Sequence, residues 1–172
     1  MTMPLLKKLM TWLESISGSK KSKSITSMSH LRIAIGADHA GYSYKEDIKK
    51  ILEEKSIEVL DFGTDSETSV DYPDHIHPVA ESISSRKASL GIIFCGSGNG
   101  AAMTANKHQD IRAALCWTKE LAELARMHNN ANVISIPSRF VTLESSRAMV
   151  EAFLSTEFEG GRHARRVGKI SC

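Results

Sequence analysis

The sequence predicts an α/β protein, a three-layer flavodoxin- or Rossmann-like fold with a five-stranded parallel sheet and helices on both faces. Two observations lead there. From residue 31 onward, short apolar runs alternate five times with stretches of helical periodicity, and strands that alternate with helices build a parallel sheet covered on both sides. The chain has 172 residues, 41% apolar and 24% charged, an ordinary globular balance long enough for one sizeable core.

The elements follow in order. Residues 31–37 (LRIAIGA) form a first apolar strand, and 42–55 a helix with Ile48, Ile51 and Leu52 on one face. Residues 57–62 (IEVLDF) form a second strand. Tyr72–Pro73 interrupts, and a helix resumes over 76–86. Residues 90–95 (LGIIFC) form the third strand, 101–107 a helix and 112–116 (RAALC) the fourth strand. Thr118 caps a helix running to about Met127, whose core face is Leu121, Leu124 and Ala125. Residues 131–136 (ANVISI) make the fifth strand and 143–154 the fifth helix. Crossovers in such a sheet are right-handed.

Residues 1–28 stand apart from the domain at 29–172. Leu5, Leu9, Trp12, Leu13 and Ile16 recur at helical spacing, a polar stretch follows (SGSKKSKSITS), and five lysines face one glutamate. The open readings are a surface-bound amphipathic helix, a transit peptide without arginine, a disordered extension, or a start assigned upstream of a true start at Met28.

Composition excludes several classes. Lys and Arg number 22 against 20 Asp and Glu, a net charge of +2, which gives no argument for nucleic acid as a partner. No run approaches 18 apolar residues, so no integral membrane segment is expected. The three cysteines, Cys95, Cys116 and Cys172, include no C-x-x-C pair. That argues against a disulfide scaffold or a zinc ribbon and for a reducing, cytoplasmic setting.

In parallel sheets ligands sit beyond the carboxyl ends of the strands, so the loops there carry the functional reading. The first strand ends in Gly36-Ala37-Asp38-His39-Ala40-Gly41 and the third in Cys95-Gly96-Ser97-Gly98-Asn99-Gly100. The helix before the fifth strand ends in His128-Asn129-Asn130, and all three segments are expected on one rim. The alternate glycines of CGSGNG read either as backbone donors around an anion or as a tight turn. Cys95, before a helix N-terminus, reads as a thiolate nucleophile or proton-transfer base, or as an inert buried thiol. Cys116 reads as core. Asp38 is an acid or a helix cap, and His128 a general acid or a solvated terminal histidine. Arg162 and Arg166, four apart, fork a phosphate or form a solvated basic tail, and Arg139 is expected to join them at the same rim. His75 and His77, two apart, face different sides of a helix, which speaks against a shared metal.

These residues fall into a series that resembles type B ribose-5-phosphate isomerase, a family shared with galactose-6-phosphate isomerase subunits and allose-6-phosphate isomerase. The series is GADHAGY, DFGT, DYPD, CGSGNG with ANK, RMHNNANV, PSR and EGGRHARR, in that order across residues 31–172. The resemblance implies interconversion of ribose 5-phosphate and ribulose 5-phosphate through an enediolate, with no metal and no organic cofactor. It implies Cys95 as the base between C2 and C1, His128 as the acid that opens the ring, and Asp38 as its assistant. Gly96, Ser97, Gly98, Asn99 and Gly100 match the loop whose N–H groups hold the enediolate oxygen, with Ser97 also in a catalytic role. Asn129 matches a sugar contact, and His39, Arg139, Arg162 and Arg166 match phosphate contacts. A homodimer or tetramer with the site shared between subunits is implied as well. Ser97 stands where relatives often have Thr, and Asn99 where they are often apolar. Members with a glutamate base carry it further along this loop, where Ala101 and Ala102 offer no carboxylate. A six-carbon isomerase of the same family is the alternative, with pocket depth near Tyr72 and Asn132 expected to decide. Rivals of other classes are a non-enzymatic nucleotide-binding module and a flavodoxin-like electron carrier.

Overall fold

The computed structural model describes residues 31–170, so the readings of residues 1–28 lie outside the described residues, as does Cys172. Ten of the eleven elements make five strand–helix units: β1 (Arg32–Ala37), α1 (Tyr42–Glu54), β2 (Glu58–Asp61), α2 (Tyr72–Ser84), β3 (Leu90–Cys95), α3 (Asn99–Ala105), β4 (Ala113–Leu115), α4 (Lys119–Asn129), β5 (Val133–Pro137) and α5 (Leu143–Ser155). A short α6 (Gly161–Val167) closes the described chain. The sheet is wholly parallel, with strand order β2-β1-β3-β5-β4. The fold class is the expected one. The last two strands are exchanged relative to the flavodoxin order, which runs 2-1-3-4-5. The three-residue β4 lies at the edge, where a short strand leaves little unpaired backbone.

Strand side chains point to opposite faces in turn, and both faces here are apolar. Ile33, Ile35, Ile92, Phe94, Ile134 and Ile136 pack with Ile48 and Leu52 of α1, Ala122 and Ala125 of α4, and Met149 and Phe153 of α5. Ala34, Ile93, Cys95 and Val133 face the other way, against Ile76, Val79 and Ile83 of α2 and Ala101 and Ala105 of α3. The order of the sheet reverses between β1 and β3, because the chain leaves β1 to one side for β2 and returns to its other side for β3. That switch point opens a crevice at the carboxyl ends of the two strands.

Two expectations are corrected. The second helix begins at Tyr72, not 76, with Pro73 in its first turn, where the missing N–H removes no helical hydrogen bond. In α4, Thr118 Oγ1 accepts from Leu121 N as expected. Its core face, however, is Ala122 and Ala125, while Leu121 and Leu124 are 42% and 41% exposed. Small side chains let α4 approach the sheet closely, and that rotation turns the leucines outward.

Gly41 marks the tightest approach at the switch point. A Cβ there would lie 2.4 Å from Phe94 Cβ. Gly41→Ala is therefore expected to cost roughly 1–3 kcal/mol as overpacking, read as a lower urea midpoint with an unchanged m-value.

Candidate active site

The loops after β1, β3 and β5 meet at the switch point. Asp38 is 5% exposed, and its Oδ1 accepts the N–H groups of Ala40 and Gly41 at 3.0 and 3.1 Å. The carboxylate thus closes the turn ahead of α1, whose own N-cap is Gly41. Its charge acts on the Cys95 thiol, and so do the N–H groups of Ser97 and Gly98. Gly98 takes a left-handed φ of +73° at the start of α3, where a Cβ would strike Leu115. Ser97 Oγ accepts from Asn99 N at 3.4 Å. The Tyr72 ring lies against Gly100, so close that a Cβ would fall 2.6 Å from its Cζ.

The Cys95 thiol is pushed above its ordinary value, chiefly by burial and then by the hydrogen bond and charge of Asp38. The Ser97 and Gly98 amides pull it back only in part. The expectation of a thiolate favoured by the helix terminus is overturned in the free protein: desolvation and a neighbouring carboxylate outweigh two amide dipoles. Cys116 is buried as expected, its thiol raised to about 12 by burial.

His39 and Arg139 join this rim. His39 Nδ1 accepts from Val70 N at 3.2 Å, so the neutral ring carries its proton on Nε2. Arg139 N donates to Gly96 O at 3.1 Å, and its guanidinium lies over Gly96. Two buried serines that the motif reading passed over hold the loops together. Ser135 Oγ donates to Gly98 O at 2.8 Å, and Ser138 Oγ lies 2.8 Å from Ala40 O and 3.1 Å from Cys95 O. A serine inside the apolar run ANVISI was the available signal for Ser135, since a buried hydroxyl demands a partner.

The remaining candidates are elsewhere. In a parallel sheet each helix runs back from the carboxyl ends of the strands to the amino ends. The carboxyl terminus of α4 therefore brings His128 and Asn129 to the rim opposite Cys95. At that end Arg112 Nε donates to Asn130 O, and Asn132 N to Arg112 O. Arg162 and Arg166 are there as well, because α6 packs on α4 and Glu159 N donates to Met127 O at 3.1 Å. The His128 and His163 rings stack with centroids 4.2 Å apart, and Glu159 Oε2 lies 3.9 and 3.5 Å from their Nε2 atoms. Within one chain the three segments do not share a rim, and Arg139 is separated from Arg162 and Arg166. Asn132 is also remote from Tyr72: its Oδ1 accepts from Arg112 N and its Nδ2 donates to Asp110 O. It locks the start of β5.

Each chain thus carries two separate groups of candidate residues. One is a thiol between a carboxylate and backbone donors; the other is an imidazole, an amide and two arginines. Exposed apolar side chains lie between them. Trp117 and Phe140, 44% and 64% exposed with ring centroids 5.9 Å apart, follow β4 and β5, and Leu121 and Leu124 continue along α4 toward His128.

A thiol and an amide cradle at the switch point of a doubly wound sheet define a class of small-molecule enzyme, and comparison with known proteins gives the class its family. The model of the Ribose/Galactose Isomerase family matches residues 33–170, and the chain belongs to that family. The ribose-5-phosphate isomerase B of Escherichia coli is 41% identical over 140 residues, 81% of this chain and 94% of that protein. The crystal structure of a ribose 5-phosphate isomerase from Thermotoga maritima superposes with a TM-score of 0.80 at 50% identity, covering 83% of this chain and 98% of that one. A ribose-5-phosphate isomerase B from Mycoplasma genitalium, solved with bound ribulose-5-phosphate, gives 0.78 at 42% identity, covering 81% and 93%. No helix among the described residues is long and apolar enough to cross a membrane.

Asp38→Asn removes the charge that holds the thiol proton. Alkylation of the Cys95 peptide by iodoacetamide, followed by mass spectrometry, is expected to reach its half-maximal rate at lower pH in the variant. An unchanged profile would remove Asp38 as a cause of the raised value.

Proposed function

We propose that the chain interconverts ribose 5-phosphate and ribulose 5-phosphate. The observation that carries this reading is the buried Cys95 thiol at the end of β3, under the influence of the Asp38 carboxylate and the Ser97 and Gly98 amides. Aldose–ketose isomerisation needs a base that moves one proton between C2 and C1, and fixed donors for the enediolate oxygen. Cys95 as thiolate takes the C2 proton and returns it to C1. The amides of residues 96–100 hold the developing oxyanion, where one such donor is worth about 3–4 kcal/mol. A base of high proton affinity is strong once ionised, so the rate rises with pH as the thiolate forms. Asp38 assists ring opening. His39, with its Nε2 proton free to donate, and Arg139 serve the phosphate. None of these steps calls for a metal or an organic cofactor.

His128 opens the ring, Asn129 contacts the sugar, and Arg162 and Arg166 grip the phosphate, all delivered by a second copy of the chain. Their position on the opposite rim supports this. So does the apolar face of Trp117, Phe140, Leu121 and Leu124, which reaches from the Cys95 rim to His128. Two copies related by a two-fold axis perpendicular to α4 lay these faces together antiparallel, and each His128 then meets the other copy's Cys95. The working form is a homodimer or a multiple of one, with the isomerase domain beginning near residue 29 after an N-terminal extension. Free thiols at Cys95 and Cys116 support a reducing compartment such as the cytoplasm.

The test is a coupled assay with ribose 5-phosphate and, in parallel, allose 6-phosphate, with EDTA present. Higher kcat/KM on the five-carbon sugar is expected, and Cys95→Ala is expected to lose about 10²–10⁴-fold in turnover. Cys116→Ala is expected to stay near wild type. Full activity in Cys95→Ala would contradict the assignment of the base.

A further inference from the structure

His128, Glu159 and His163 have a geometry that proton transfer alone does not require. We propose that these three side chains form a binding site for one zinc-class divalent cation. Zinc is commonly held by two histidines and a glutamate, with water in the fourth position. Bonds of about 2.0–2.2 Å in a tetrahedral shell put ligand atoms roughly 3.3–3.6 Å apart. Glu159 Oε2 already lies 3.5 Å from His163 Nε2 and 3.9 Å from His128 Nε2, and all three ligand atoms fall within 4.8 Å of one another. The two rings lie parallel, so their in-plane lone pairs converge on one cation only when the partly exposed His128 ring turns out of the stack.

The ligands come from supported positions. His163 is 6% exposed, so its ring is held in place. Glu159 is pinned to α4 through its own N–H on Met127 O. Arg162 Nε donates to His163 Nε2 at 3.3 Å, so that nitrogen presents the lone pair a cation needs. The cation takes this lone pair over, and the exposed Arg162 side chain turns to solvent. Its nearby charge, with that of Arg166, sets the affinity below that of a buried structural zinc site. Occupancy also withdraws His128 from ring opening. That consequence rests on the role given to His128 above, whereas the binding itself does not.

The probe is zinc, offered to the chelator-stripped full-length chain in competition with a chromophoric zinc indicator. One zinc per chain is expected. Glu159→Gln and His163→Gln are each expected to weaken binding by at least about 10-fold, and Cys95→Ala and His108→Ala to leave it unchanged. The first control addresses the active-site thiol, and the second the exposed His77–His108 pair, whose nitrogens are 2.7 Å apart. Glu159 is half-exposed, so its amide variant leaves the fold intact. Cobalt in place of zinc is expected to give the visible bands of a tetrahedral site without thiolate charge transfer. Absence of binding, binding that survives both ligand substitutions, or binding lost with Cys95 would each overturn the site. Zinc is also expected to inhibit the wild type more than Glu159→Gln, each measured against its own chelator-treated rate. Binding at these ligands without inhibition would contradict the role of His128 and leave the site standing.

Discussion

The contact between the Asp38 carboxylate and the Cys95 thiol sets the rest of the molecule. It exists because β1 and β3 are neighbours at the point where strand order reverses, so the two loops that leave them face each other across one crevice. A buried carboxylate beside a buried thiol is costly without further partners. The surroundings supply them: the Ala40 and Gly41 amides on Asp38, the Ser97 and Gly98 amides toward the sulfur, and Ser138 across the Ala40 and Cys95 carbonyls. Gly41 tolerates the approach of Phe94, and Gly98 supplies the left-handed turn. The price of the arrangement is a thiol that resists ionisation, which makes it a strong base once it is charged.

The direction of the helices imposes the second constraint. A helix that follows a strand returns to the opposite edge of the sheet, so no residue at the carboxyl end of α4 can reach the Cys95 rim of its own chain. His128, with Arg162 and Arg166 on the adjoining α6, is held at the amino-end rim by the same topology that opens the crevice. The outward rotation of Leu121 and Leu124, forced by the alanine face of α4, puts an apolar strip between the two rims. The direction of α4 separates the two groups, and its alanine face exposes the strip between them.

Much of this was legible in the sequence. The βα alternation carried the fold class, and helix and strand positions came within a few residues, because buried parallel strands are apolar throughout and their loops are rich in glycine. The residues of the Cys95 rim were legible from their place after strands one, three and five. The opposite placement of His128 was not read, although it follows from the same parallel topology: a residue that ends a helix lies at the wrong edge for a residue that ends a strand. The face of α4 was misread because leucines usually mark the core side, and here the alanines do. The start of α2 at Tyr72 was hidden by Pro73, which breaks a helix interior but suits a first turn. The raised Cys95 thiol needed three-dimensional knowledge of which carboxylate stands beside it. The meeting of Glu159 with two imidazoles needed the fold of the α5–α6 connection, which no local pattern encodes.

The central claim is that a working site takes its thiol from one chain and its imidazole from another. Cys95→Ala and His128→Asn chains, each inactive alone, decide it when they are mixed under conditions of demonstrated subunit exchange. A two-fold hybrid contains one site with both residues intact and one with both missing, so equal mixing restores about a quarter of the wild-type sites. Recovery of isomerase activity to about that level is the predicted result. No recovery despite proven hybrid formation would mean that each site is built within a single chain, and would contradict the account.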